Sequence, residues 1–250
     1  WIAACLALVS WTALASVGLD QPQPHVLCVT DGGASSPGVA VLPRLSAGPA
    51  SQERTTVAKG EITLLVTRPI LLDGADVAAL REPLEAVHKT ASTRLGMPAS
   101  LRLLRVERTG IGLSASAHLA GPRAATIRLP AGLEPPVLQE ARAHQMAHVM
   151  VSSAWGDAPR WFSEATASWL AERAGCAPGA GVKARRKLSL RPEASPLVDA
   201  AAGLCLLDYL QERFGERFVV STWEQMAARA DGDPVGALRR AVHERGSTLQ

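Results

Sequence analysis

The sequence predicts an α+β protein, with a small mixed β-sheet lobe followed by a helical lobe. Three observations carry that expectation. The runs richest in β-branched residues and leucine, EITLLVTRPILL, LRLLRV and AATIRLP, all end by residue 130. From Val137 onward, apolar residues recur at three- and four-residue intervals, the period of a helix face. Early in the helical region stands HQMAH, residues 144–148, whose histidines fall one helical turn apart.

Bulk properties narrow the reading. The chain has 250 residues, 47% of them apolar, and a formal net charge of +3. With its ends set aside, residues 60–250 are enough for one domain with its own core. The charge is too small and too dispersed for a nucleic-acid partner. The densest basic run, KARRKLSLR at Lys183–Arg191, reads as a solvated loop. The chain opens on Trp1, not Met, and is expected to be a piece of a longer or processed protein.

Residues 1–19 are apolar and uncharged, followed by a proline-rich exit. They read as the tail of an export signal, with Ala13-Leu14-Ala15 resembling a cleavage site, or as a retained membrane anchor. Residues 20–59, rich in Pro, Gly and Ser, read as a linker, with His25 an exposed loop residue. An exported protein with four cysteines, at 5, 28, 176 and 205, can pair Cys28 with Cys176. No CxxC pair is present, which argues against a cysteine zinc site.

The domain proper opens with a strand at Glu61–Leu72 and a turn at Asp73-Gly74. Val77, Leu80, Leu84, Val87, Ala91 and Leu95 then mark one face of a helix that Pro83 is expected to kink or restart. His88 is expected on that helix's surface. Strands are predicted at Leu101–Val106, Gly112–Leu119 and Ala124–Leu129, the last two joined at Gly121-Pro122. A helix follows at Val137–Ser153, with Val137, Leu138, Ala141, Met146, Val149 and Met150 buried. Asp157 is a natural N-cap and Pro159 an early residue of the next helix, which buries Trp161, Ala165 and Trp169. Residues 175–196 read as a loop. Further helices are expected up to Gly215, over Phe218–Arg229 and over Pro234–His243.

Chemistry concentrates at residues 140–164. His144 and His148 share one helix face and can hold one metal ion through two imidazoles. Glu164, on the next apolar segment, would add a carboxylate, and an unpaired carboxylate among such residues is costly. Two histidines and one carboxylate with a position left open suit catalytic zinc, Zn2+. Arg160 is the plain alternative partner for Glu164. Glu140, one turn before His144, is a candidate to orient that ring, and a more remote one for a substitute base. Gln145 is the objection to turnover. The helical zinc-peptidase signature is H-E-x-x-H, in which the Glu takes a proton from the attacking water. An amide does not titrate and cannot do so.

HQMAH followed by APRWFSEATASWL resembles the gluzincin metallopeptidases, and most closely the bacterial peptidase MA-like domains. A weaker likeness runs from about Glu61 to the C-terminus, through SLRLLRVER, AATIRLP and LCLLDYLQERFGERF. The resemblance implies a zincin-like fold, with His144, His148 and Glu164 as zinc ligands and Gln145 in the place of the catalytic Glu. Ser168 stands where many relatives carry an acid. The segment Ala115–Ala120, with Ala117 and His118, matches the sheet edge that pairs with extended peptide in that family. Relatives also use a tyrosine or histidine to polarise the substrate; Tyr209 and His243 are weak matches, and Tyr209 reads better as a packing residue with a wet hydroxyl. The expectation is an exported zinc-dependent metallopeptidase homologue acting on peptide or protein, its hydrolysis compromised at Gln145. The other expectation is a pseudopeptidase that binds peptide or a partner protein without cutting it, with membrane attachment, if any, through residues 1–19.

Overall fold

The structure, a computed structural model, describes residues 51–57, 62–68, 74–98, 101–109, 114–121, 123–191, 193–229 and 232–246. Its sheet has five strands: β1 (Ser51–Val57), β2 (Ile62–Arg68), β3 (Leu103–Thr109), β4 (Ser116–Gly121) and β5 (Ala124–Pro130), in the order β1-β2-β3-β5-β4. β1 and β4 run antiparallel to their neighbours, while β2, β3 and β5 are mutually parallel. A parallel β2–β3 pair needs a crossover, and helix α1 (Gly74–Lys89) supplies it. β4 pairs antiparallel with β5 and lies on the outer edge. The register sets Leu104 beside Ala125, Val106 beside Ile127 and Ala117 beside Ile127, so all these buried side chains share one face.

The helical lobe comprises α2 (Pro135–Trp155), α3 (Arg160–Arg173), α4 (Ala180–Leu190), α5 (Ala200–Phe214), α6 (Phe218–Ala227) and α7 (Pro234–His243). α2 joins the two lobes: it packs against α1, β4 and β5 on one side and α3 on the other. α3 in turn lies against α5. The mixed sheet followed by a helical lobe is the architecture expected from the sequence.

Several details differ from expectation. Ser51–Val57, read as the end of the linker, is a strand paired antiparallel with β2. α1 runs through Pro83 and closes in a π-helical turn at Thr90–Arg94, where the Leu95 amide donates to the Thr90 carbonyl at 3.0 Å. His88 is buried, at 3% exposure, because Leu84, His88, Ala91 and Leu95 form one stripe at four- and three-residue steps. Val137 is exposed rather than buried, lying in the first turn of α2. α3 begins at Arg160, with Pro159 rather than Asp157 at the N-cap position.

The largest difference is α4, where a loop was expected. Its N-cap, Gly179, adopts φ +79°, and the Glu172 carboxylate accepts from the Gly181 amide at 2.9 Å. Only Gly181 and Ala184 are buried, so the helix shows almost no apolar period. Its cations reach outward to acids on other elements: Lys183 to Glu140, Arg185 to Asp208 and Lys187 to Asp199. Among the described residues no helix is long and apolar enough to cross a membrane. Residues 1–19, His25 and Cys28 lie outside the described residues; Cys176 carries a free, buried thiol.

Candidate metal centre

α2 carries His144 and His148 one turn apart, their rings edge to face with centroids 4.7 Å apart. Gly156 ends the helix at φ +85°, and the chain turns within three residues into α3. That short return brings Glu164, in the second turn of α3, against both rings. The back of α3 is held firmly. Trp169 donates from its indole to Gln211 Oε1 at 2.6 Å, Trp223 donates to Thr166 Oγ1 at 3.2 Å, and Phe162 stacks on Trp223 at 5.0 Å. With its apolar residues fixed behind, the helix presents Glu164 and Ser168 to α2.

Three donor atoms converge. His144 Nε2 lies 3.1 Å from His148 Nε2 and 3.2 Å from Glu164 Oε2, and His148 Nε2 lies 3.6 Å from that same oxygen. Zinc bonds of about 2.0–2.2 Å in tetrahedral arrangement separate neighbouring ligand atoms by roughly 3.3–3.5 Å. The three separations straddle that spacing, so the triangle is close to the size that suits one zinc ion. The outer ring nitrogens are also engaged: His148 Nδ1 meets Ser163 Oγ at 3.2 Å, and His144 Nδ1 meets Ser168 Oγ at 3.4 Å. With hydroxyls at both Nδ1 atoms, both Nε2 atoms are left to face the carboxylate.

Protonation favours the same outcome. Burial pushes the His148 pKa below its usual value, against the raising effect of its hydrogen bond with Glu164. A neutral imidazole is the form that binds metal. Burial alone would raise the Glu164 pKa, but hydrogen bonds and charge from His144 and His148 reverse that and hold it well below the usual carboxylate range. Two imidazole nitrogens and one carboxylate oxygen, with no thiolate, fit zinc's ligand preference.

The other residues singled out in the sequence divide. Gln145 is 2% exposed, and its buried Oε1 has no hydrogen-bond partner among the described residues. Glu140 does not meet His144; it is half exposed and paired with Lys183 of α4 at 3.0 Å. β4 is indeed a sheet edge beside α2. Ala117 points into the core with Ile127, and His118 pairs with Thr126 on the other face of the sheet, away from that packed side. Arg160 and His243 are exposed. The Tyr209 hydroxyl accepts from Arg213 Nη1 at 3.5 Å. Ser163 is the residue sequence reasoning missed; its position directly before Glu164 was the available signal.

Neither a family model nor a curated protein matches the chain. Among solved structures, the chain is similar to a point mutant of an M1 zinc metallopeptidase from Deinococcus radiodurans, with a TM-score of 0.51 and 20% identity. The likeness covers 79% of this chain and 49% of that one, so this chain spans about half its length. The shared feature is the fold, and within it this chain has a His-His-Glu set able to hold a metal.

Proposed function

We propose that this chain is an exported, zinc-binding homologue of the gluzincin metallopeptidases, of the peptidase MA-like kind, with hydrolysis crippled at Gln145. The observation that carries the reading is the convergence of His144 Nε2, His148 Nε2 and Glu164 Oε2 within 3.1–3.6 Å. A zinc ion held there supplies Lewis acidity, which polarises a carbonyl and acidifies water. The chain's own residues supply the rest. Ser163 and Ser168 hold the rings, and α2 and α3 exclude solvent from His148. The edge of β4 offers main-chain groups to an extended peptide, a mode of pairing that tolerates many sequences. Gln145 can accept a hydrogen bond from water but cannot take its proton. The apolar, uncharged run at 1–19 supports export.

The test is metal content and cleavage of a peptide library by the chain beside its Gln145→Glu variant. One zinc in each, with cleavage in the variant, supports an intact peptidase scaffold without its base. No zinc in either overturns the reading. Cell fractionation tests export: recovery with the cytosol counts against it.

A second reading is favoured by the buried, unpartnered Oε1 of Gln145. In it the chain is a pseudopeptidase that captures peptide or a partner protein. Metal-dependent cleavage by the unmutated chain, abolished in His144→Ala, excludes it.

A further inference from the structure

Four of the six exposed large apolar side chains among the described residues fall in one short stretch: Val182, Leu190, Leu197 and Val198. The first two lie on α4 and the others on the segment that leads into α5. Val182, Leu190 and Val198 are 60%, 78% and 82% exposed, so little in the fold covers them. α4 buries only Gly181 and Ala184. With about 3.6 residues per turn, Val182, Lys183, Arg186, Lys187 and Leu190 fall on the opposite side of the helix. Lys187 Nζ lies 3.6 Å from Asp199, the residue after Val198, which brings that apolar side chain beside the last turns of α4.

The same side is basic. Residues 180–191 hold five cations and no acid, and Glu193 is the single acid between Arg191 and Asp199. Arg186 and Arg191 are exposed and have no ion-pair partner among the described residues. Lys183 and Lys187 pair with Glu140 and Asp199, but their side chains are 67% and 58% exposed, so both heads can turn to an incoming phosphate. This chemistry fits lipid better than protein. The core of a protein interface is rich in aromatic residues and poor in lysine. The outward side of α4 has two lysines and no aromatic residue. Aliphatic side chains between Lys and Arg are what a helix lying on a membrane offers: the stems rest on apolar surface and the heads reach the phosphates.

We propose that the outward side of α4, with the segment as far as Val198, docks on an anionic lipid surface. Val182, Leu190 and Val198 enter the headgroup region, and Arg186 and Arg191 meet lipid phosphates. The inference goes beyond the peptidase reading and holds whether or not the His-His-Glu set binds zinc.

The test is co-sedimentation of the full chain with vesicles of phosphatidylcholine alone and of phosphatidylcholine with phosphatidylglycerol. Residues 1–19 carry no charge, so their insertion does not distinguish the two lipids. The unmutated chain is expected to bind the phosphatidylglycerol vesicles about tenfold more tightly, an advantage that salt removes. Arg186→Ala with Arg191→Ala is expected to abolish most of that advantage. Val182→Ser with Leu190→Ser is expected to weaken binding to the same vesicles about tenfold. All four side chains are exposed or without a partner in the fold, so the urea midpoints of both variants are expected to match that of the unmutated chain. Arg229→Ala, which removes an exposed cation after α6, is expected to change nothing. Equal binding of the unmutated chain to both vesicles overturns the proposal without recourse to any variant. So does an equal loss in Arg229→Ala, which would make the attraction one of overall charge. An unchanged serine variant overturns it as well, because the apolar side chains would then not enter the lipid. Sedimentation velocity without vesicles covers the other occupant: an unmutated dimer that both double variants reduce to a monomer makes this side an interface between copies, and overturns the lipid assignment.

Discussion

His144 Nε2 and His148 Nε2 face each other across 3.1 Å, with Glu164 Oε2 within 3.6 Å of both. Two imidazoles one turn apart on a helix can diverge toward solvent. Here Ser163 and Ser168 engage their outer nitrogens from α3, which turns the inner nitrogens toward a common point. The same helix that supplies the third donor thus also aims the first two. That coupling makes the site depend on how α3 packs as much as on the HxxxH spacing.

Metal binding is expected to stabilise the folded chain, since the donors come together only when α2 and α3 do. A ligand present at a hundred times its dissociation constant adds about 2.7 kcal/mol to folding. Thermal unfolding of the metal-free chain, repeated with zinc in excess, checks this. The melting temperature should rise for the unmutated protein and stay unchanged for His144→Ala and His148→Ala. A similar rise in those variants would place the metal elsewhere.

Restoring a titratable group at residue 145 is expected to raise turnover. General-base catalysis contributes about 10²–10⁴-fold. Gln145→Glu should increase zinc-dependent peptide cleavage by a factor in that range, with zinc content unchanged. The comparison requires equal metal loading, measured by elemental analysis on the same samples. A loaded variant that remains inert would mean that the geometry about this position does not support hydrolysis.

The sequence carried the site better than its surroundings. His144 and His148 are legible because a helix converts a spacing of four into proximity, and Glu164 because a carboxylate amid Trp161, Phe162, Ala165 and Trp169 needs a partner. The strands β2, β3 and β5 are legible from their β-branched runs. α4 was not: it buries only Gly181 and Ala184 and is held by ion pairs and the Glu172 contact, none of which leaves a hydrophobic period. β1 was hidden in the same way, since SQERTTV is polar and its partner strand is distant in pattern rather than in sequence. Glu140 failed as an orienting residue because its true partner, Lys183, belongs to that unrecognised helix. Side-chain direction depends on neighbouring elements, so an error in one helix carried over to a residue on another.

Acid is expected to weaken α5 through its cap. Asp199 accepts from the Ala201 and Ala202 amides at 2.8 and 3.3 Å. Burial alone would raise its pKa, but those bonds and Lys187 hold it below the usual value. A carboxyl depressed on folding contributes stability above its unfolded pKa of about 3.9 and loses it as pH falls through the folded value. Asp199→Ala should therefore cost about 1 kcal/mol at neutral pH. The gap from the unmutated chain should narrow below pH of about 4, measured by urea unfolding across pH. A gap independent of pH would show that the charge of Asp199 contributes nothing.

The packing behind the metal site gives the last expectation. Trp169 fills the α3–α5 contact and donates to Gln211 Oε1 at 2.6 Å, at 1% exposure. Trp169→Phe keeps an aromatic ring but removes the donor and some volume, leaving a buried amide oxygen unsatisfied. That loss costs about 1–3 kcal/mol. Because α3 carries Glu164, Ser163 and Ser168 on its other side, the effect should not stop at stability. Zinc affinity, measured by competition with a chromophoric chelator on the folded variant, should fall together with the urea midpoint. Trp223→Phe also removes an indole donor to α3, at Thr166, and should act in the same direction. Loss of stability with unchanged zinc affinity in both would mean that the donors are positioned by α2 alone.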